Sequence, residues 1–246
     1  MALIRLDKYL SQMSAGSRSD VKNNIRKGRV LVNGTPNMKP EYKVDTDKDV
    51  IEYCGEKIAY SEYEYYMLNK PAGVVSATED KKEKTVLDLI CGSKRKDLFP
   101  AGRLDKDTEG LLIITNDGAL AHELLSPKKH VDKTYYAQID GIVTEEDICA
   151  FEKGIKISED FTALPARLEI ISTVKGGSGE DTSEIMLTIH EGKFHQVKKM
   201  FEASGKKVTY LKRMSMGRLK LDESLPCGSF RRLTEDEIEI LRESRQ

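Results

Sequence analysis

The chain has 246 residues, 39% of them hydrophobic, with 40 Lys/Arg against 41 Asp/Glu for a net charge of −1. That length can bury one large or two modest cores, and the charge balance excludes a polycation bound to its partners by bulk charge. Scattered cysteines (Cys54, Cys91, Cys149, Cys227) and four histidines without ligand spacing predict no metal and a reducing compartment. No run has membrane-spanning length or the form of a signal peptide, so a soluble cytoplasmic protein without membrane contact is expected.

Leu6, Tyr9, Leu10 and Met13 recur at helical spacing, and Gly16 follows as a helix stop. Ser17 or Ser19 can cap a second helix that buries Val21 and Ile25 and ends at Gly28. Val30 to Val32 then reads as a strand entering an Asn33-Gly34 turn, and Val50 to Cys54 as a further strand turning at Gly55. Residues 1–30 carry seven Lys/Arg against Asp7 and Asp20, a local excess in a neutral chain. The polar stretch Ala59 to Glu64 reads as a linker, which predicts one domain over 1–60 and a second over 61–246.

From residue 65, strands are expected near 65–69, 98–101, 111–115, 134–140, 167–172, 184–190, 207–212 and 228–231. Helices are expected near 85–91, 118–125, 145–153, 194–204 and 235–243, the last opened by a Thr234/Glu237 capping box. The glycine-rich run Lys175 to Ser183 reads as a hairpin tip. Irregularly interspersed strands with hairpin-like links predict an α+β fold on a mixed, mostly antiparallel sheet. GxGxxG and P-loop patterns are missing, so no nucleotide cofactor is indicated. Residues 190–220 hold a second basic excess, nine Lys/Arg against Glu191 and Glu202, and two such patches suit a polyanion footprint.

The most informative segment is Ala101 to Gly110, AGRLDKDTEG, followed by the apolar run Leu111 to Thr115. Asp105 follows a short strand and precedes a loop that re-enters a buried strand, beside Arg103. An aspartate so held is a candidate nucleophile or general base. Three other readings compete. A calcium loop is disfavoured by Glu109 and by Asn116 at its twelfth position. A glycosidase pair finds little sugar platform in a chain without tryptophan. The third reading is a plain polar turn.

The segment RLDKYLSQMSAGSRSDVKNNIRKGRVLVNG resembles the alpha-L RNA-binding motif of the ribosomal S-four type. That resemblance implies phosphate contacts by Arg18, Lys22, Arg26, Lys27 and Arg29. LNKPAG (Leu68 to Gly73), GRLD, Lys133-Thr134-Tyr135 and GKFHQVKKMF (Gly192 to Phe201) occur in the order found in one branch of RNA pseudouridine synthases. The variant HQVKKMF is most similar to the RsuA type, which modifies small-subunit (16S) ribosomal RNA. The resemblance implies a cofactor-free isomerase with a catalytic Asp105, acting at ribose C1′, at uracil C6 or in forming a glycal. It implies a Tyr135 that stacks on the uracil and a charge partner at Lys198, where many relatives carry arginine, with Lys193 and Lys199 as alternative partners. Arg103 would help to hold rearranged RNA, or would contact a phosphate or pair with Asp107. The partner expected is 16S rRNA or an assembling small-subunit particle, and the enzyme is expected to act as a monomer.

Overall fold

The structure, a computed structural model, describes residues 3–13, 15–93, 95–126, 129–176 and 181–243. The chain divides into two compact units: Met1–Glu64 with Cys91–Leu98, and Tyr65–Ile90 with Phe99–Gln246.

In the first unit the order is β1 (Leu3–Arg5), α1 (Leu6–Gln12), α2 (Arg18–Arg26), β2 (Val30–Val32), β3 (Thr35–Pro36), β4 (Lys43–Asp45), β5 (Ile51–Tyr53) and β6 (Glu56–Ile58). Ser17 caps α2, its hydroxyl accepting from the Asp20 amide at 3.2 Å. Asn33 (φ 53°) and Gly34 (φ 78°) form the left-handed pair that a two-residue hairpin requires, which reverses β2 into β3. Leu6, Leu10, Val21, Ile25, Val30 and Val44, all fully buried, form the core beneath the two helices. The segment read as a linker is in fact pinned. Tyr60 packs at 5.0 Å on Tyr9, Arg95 donates to the Ser61 carbonyl at 2.8 Å, and Glu64 is buried. Its polar composition disguised one aromatic anchor and one buried carboxylate.

The second unit contains β7 (Tyr65–Lys70), β8 (Phe99–Ala101), β9 (Glu109–Thr115), α3 (Gly118–Leu125), β10 (Lys133–Asp140), α4 (Glu145–Lys153), β11 (Lys156–Ser158), β12 (Phe161–Thr162), β13 (Arg167–Val174), β14 (Thr182–Ile189), α5 (Gln196–Ala203), β15 (Lys207–Met216), β16 (Leu219–Lys220), β17 (Phe230–Arg232) and α6 (Glu235–Glu243). Among the described residues one sheet runs β13-β14-β10-β15-β9-β7-β17, with β16 on β15 and β8 on β9. Its neighbours are antiparallel except β15 and β9, so the sheet is mixed and mostly antiparallel, as expected. Leu111 to Ile114 on β9 are fully buried, because that strand is covered on both faces. One face meets Leu120 and Leu124 of α3 and Leu241 of α6. Asp117 caps α3 through the Leu120 amide, and Thr234 and Glu237 form the expected capping box.

Several expectations are corrected. Residues 85–91 form a single 3-10 turn, Leu87–Leu89, because Asp88 bonds the Thr85 amide and hydroxyl and Ile90 turns extended. Helix α5 starts at Gln196, since His195 adopts φ 55°. Strand β15 continues to Met216 along β10, and β11 and β12 were not expected at all. The basic stretch 190–220 is not one surface patch: Arg213 is buried and Lys206 bonds Asp147 at 2.8 Å. Of the glycine-rich run Lys175 to Ser183, residues 177–180 lie outside the described residues. Among the described residues no helix is long and apolar enough to cross a membrane.

Parallel pairing of β15 with β9 matches Arg213 to Gly110. Gly110 has φ +98°, and a Cβ there would strike the Arg213 carbonyl oxygen and come within 2.8 Å of its amide nitrogen. Gly110→Ala therefore combines a disfavoured backbone with a clash, and should destabilise the second unit by about 2–4 kcal/mol. Urea unfolding of the full chain measures it; a loss below about 1 kcal/mol would contradict this close approach.

Candidate active site

Asp105 lies in the loop between β8 and β9, and the backbone of that loop is held from beneath. Lys70, the last residue of β7, is fully buried. Its ammonium donates to the carbonyls of Thr108 (2.9 Å), Pro71 (3.0 Å), Asp105 (3.1 Å) and Lys106 (3.2 Å). Lysine has three N–H donors and a compact charge, which suits it to share several carbonyls at once. Burial pushes its pKa down to about 8, so it remains charged at neutral pH. Ser76 grips the preceding residue, donating to the Leu104 carbonyl and accepting from its amide. The Gly73 amide bonds the Lys106 carbonyl at 2.7 Å. The LNKPAG motif is thus the underside of the GRLD loop.

With its backbone so fixed, the Asp105 carboxylate is one-quarter exposed and faces a lysine and a histidine at the start of α5. Lys198 Nζ stands 3.4 Å from Oδ2, and His195 Nε2 3.6 Å from Oδ1. Lys198 is shared: it bonds both oxygens of Asp107, at 2.6 and 2.8 Å. That bond holds the Asp107 carboxyl below its ordinary range. The α5 turn is set by Gln196, whose side chain accepts from the Lys193 amide and donates to buried Glu191.

Asp105, Lys198 and Tyr135 line one small cavity of about 60 Å³, together with Ile189 and Leu211. Tyr135 is 7% exposed, with its side chain on the buried face of β10. Asp105 and His195 also line an adjoining cavity of about 780 Å³ whose wall includes Arg103, Lys193 and Phe194. A carboxylate flanked by a lysine and a histidine, at the junction of a narrow and a wide cavity, can act on a group inserted from the wide side. Among the described residues no group of three or more His, Cys, Asp or Glu is placed to hold a metal.

The expected residues therefore divide. Asp105, Tyr135 and Lys198 share one cavity. Lys193 and Lys199 do not reach Asp105; their ammonium groups lie 3.7 Å from the Phe161 ring centre and 5.3 Å from that of Phe194. Arg103 is exposed, and Asp107 pairs with Lys198 instead of with it. Asp107 is largely exposed, yet it carries the shortest bond to Lys198. Glu109 lies in β9 and accepts from the Tyr210 hydroxyl at 2.7 Å. Arg18, Arg26, Lys27 and Arg29 are exposed on the first unit, while Lys22 is partly covered and 3.9 Å from Asp7. Two contributors escaped the sequence reading. His195 was hidden because its contact depends on a left-handed residue before α5. Lys70 was hidden because a lysine in an apolar run reads as a strand end.

Replacing Lys70 with methionine keeps the stem but removes the donor shared by four carbonyls. An unsatisfied buried group costs about 1–3 kcal/mol, so Lys70→Met should destabilise the chain by at least about 2 kcal/mol and speed amide exchange across residues 103–108. The pH sign follows from a lowered folded pKa. From about 8 to 10.5 the unfolded chain keeps a proton that the folded one has released, so the Lys70 contribution to stability rises with pH there and is flat below. Urea midpoints of both chains between pH 7 and 10 test this. A stability difference that shrinks above pH 8 would refute it.

Residues 64–203 match the RNA pseudouridylate synthase family, and residues 4–51 match the S4 domain. The chain is 41% identical to the ribosomal large subunit pseudouridine synthase B of Bacillus subtilis, covering 97% of this chain and 95% of that one. It is 38% identical to the ribosomal small subunit pseudouridine synthase A of Vibrio vulnificus, covering 96% and 98%. A solved structure of a pseudouridylate synthase superimposes with a TM-score of 0.66 at 36% identity, covering 97% and 99%. Identity at this level over nearly the whole length carries the fold and the chemistry together: the chain belongs to the RNA pseudouridylate synthase family and is a pseudouridine synthase with an amino-terminal S4 domain.

Proposed function

We propose that this enzyme, acting as a monomer, isomerises a uridine of ribosomal RNA, with 16S RNA or an assembling small-subunit particle as the preferred substrate. The observation that carries the reading is the Asp105 carboxylate, 3.4 Å from Lys198 and in one cavity with Tyr135. In the reaction the C1′–N1 bond breaks, the base turns, and a C1′–C5 bond forms. The C5 proton leaves and N1 gains one, so atoms balance with no oxidant and no net water. Asp105 supplies the ionised carboxylate that acts on the sugar or the base. Lys198 keeps that carboxylate charged as water is displaced. The Tyr135 ring stacks on the uracil, and its phenol serves a late proton transfer. Flipping the nucleotide out costs roughly a few kcal/mol. Phosphate contacts from Arg103, Lys193 and Lys199 offset it, aided by Arg18, Lys22, Arg26, Lys27 and Arg29 in an RNA-binding domain over 1–60.

The HQVKKMF segment and the small-subunit relative favour 16S RNA; the large-subunit relative favours a second reading, 23S RNA. Pseudouridine mapping in both RNAs from cells lacking the gene decides between them. Loss of a 16S site is expected, and loss confined to 23S RNA would overturn the preference.

Asp105→Asn should lower tritium release from 5-tritiated uridine by about 10²- to 10⁴-fold with RNA affinity nearly unchanged. Asp107→Asn removes the competitor for Lys198. An exposed pair is worth about 0.2–1 kcal/mol, so turnover should stay within about fivefold. Lys198→Met should be severe and Lys198→Arg mild. Equal losses from Asp105→Asn and Asp107→Asn would contradict the assignment of the catalytic carboxylate.

A further inference from the structure

We propose that Phe194, stacked on His195, is a positioning residue: an unpaired RNA base next to the target uridine stacks on its ring. The inference rests on the pseudouridine synthase reading of the same site and adds a second base-binding element to it. A single exposed apolar side chain is ordinary. Phe194 differs in how it is held. It is 71% exposed, yet its ring lies 3.7 Å from that of His195 at an interplanar angle of 18°. His195 is fixed in turn, by a left-handed backbone and by its 3.6 Å contact with Asp105. The turn beneath is tied by Gln196 to Glu191 and to the Lys193 amide. The ring is therefore presented, not packed, at the wall of the 780 Å³ cavity that contains Asp105.

The surroundings select the ligand class. The Lys199 ammonium is 5.3 Å from the Phe194 ring centre, and Lys193 and Arg103 line the same cavity. The buried carboxylate of Glu191 is satisfied by Gln196 and the Leu164 amide, so it does not repel an anion strongly. A largely exposed aromatic ring among cations fits single-stranded nucleic acid, with stacking for the base and charge for its phosphate. Burial separates the two aromatic rings of the site. Tyr135 is 7% exposed inside the narrow cavity, while Phe194 lies open on the wide one. The reacting uracil belongs with Tyr135 and its neighbour with Phe194.

The chain contains no tryptophan, so Phe194→Trp places a single indole reporter at the site. Its fluorescence should be quenched by a short oligouridylate but not by a ribose-phosphate strand of equal length without bases. Equal quenching by both would reduce the contact to charge and overturn the proposal. In turnover on ribosomal RNA transcripts, Phe194→Leu should raise KM about 5- to 150-fold, the equivalent of one lost base stack. Its kcat should change far less, and Phe194→Tyr should restore KM. Unchanged KM in the Leu variant refutes the platform, and kcat falling by as much as KM rises places the reacting uracil itself on Phe194. Quenching without turnover on any ribosomal RNA would sink the ribosomal-RNA reading above and leave the stacking intact.

Discussion

One buried ammonium organises this site. The loop that presents Asp105 must expose its carboxylates to the cavity, which turns its carbonyls inward, away from water. Lys70 meets those carbonyls from the end of β7. A buried cation is costly unless its donors are used; here the donors are spent on backbone dipoles. The alternative, a lysine bonded to the Asp105 carboxylate itself, would give the same rigidity while neutralising the group that acts. The loop gains a fixed backbone, and the Asp105 side chain is left unbound by the lysine that fixes it.

The electrostatics above the loop follow from a single lysine serving two acids. Lys198 bonds Asp107 closely and stands farther from Asp105. A guanidinium would engage one carboxylate with two parallel bonds, whereas an ammonium is a point charge that can lie between two. Asp105 thus has a cation beside it without being tightly covered, and His195 approaches its other oxygen. Asp107, the more exposed acid, takes the closer bonds to the lysine. Geometry gives the two acids different work although they stand two residues apart in one loop.

Both devices depend on the order of strands in the sheet. Pairing β9 with β7 on one side and with β15 on the other sets Gly110 between Lys70 and Arg213. Only a residue without a side chain fits that junction. The antiparallel ladder from β15 to β10 then carries Tyr135 opposite Arg213, with its ring on the face that Asp105 overlooks. The buried Arg213 guanidinium reinforces the junction by donating to the Leu111 carbonyl at 2.8 Å.

Much of this was legible in the residues taken alone. Helical spacing, Ser17, Gly28 and Asn33-Gly34 mark out the first unit, since caps and turns are local physics. The run Leu111 to Ile114 announces a strand buried on both faces, and Thr234 with Glu237 announces the last helix. The motif order also singles out Asp105, Tyr135 and Lys198. What the sequence could not contain is any relation set by distant backbone. The left-handed turn at His195, the burial of Arg213 within an apparent basic patch, and the sharing of Lys198 by two acids each depend on which strands become neighbours. So does the role of Lys70, whose charge would belong at the surface but for the carbonyls of Pro71 and of the distant Asp105, Lys106 and Thr108 that close around it. Local propensity writes the elements; the register between strands far apart in sequence decides which charges are buried, which are paired and which remain free to react.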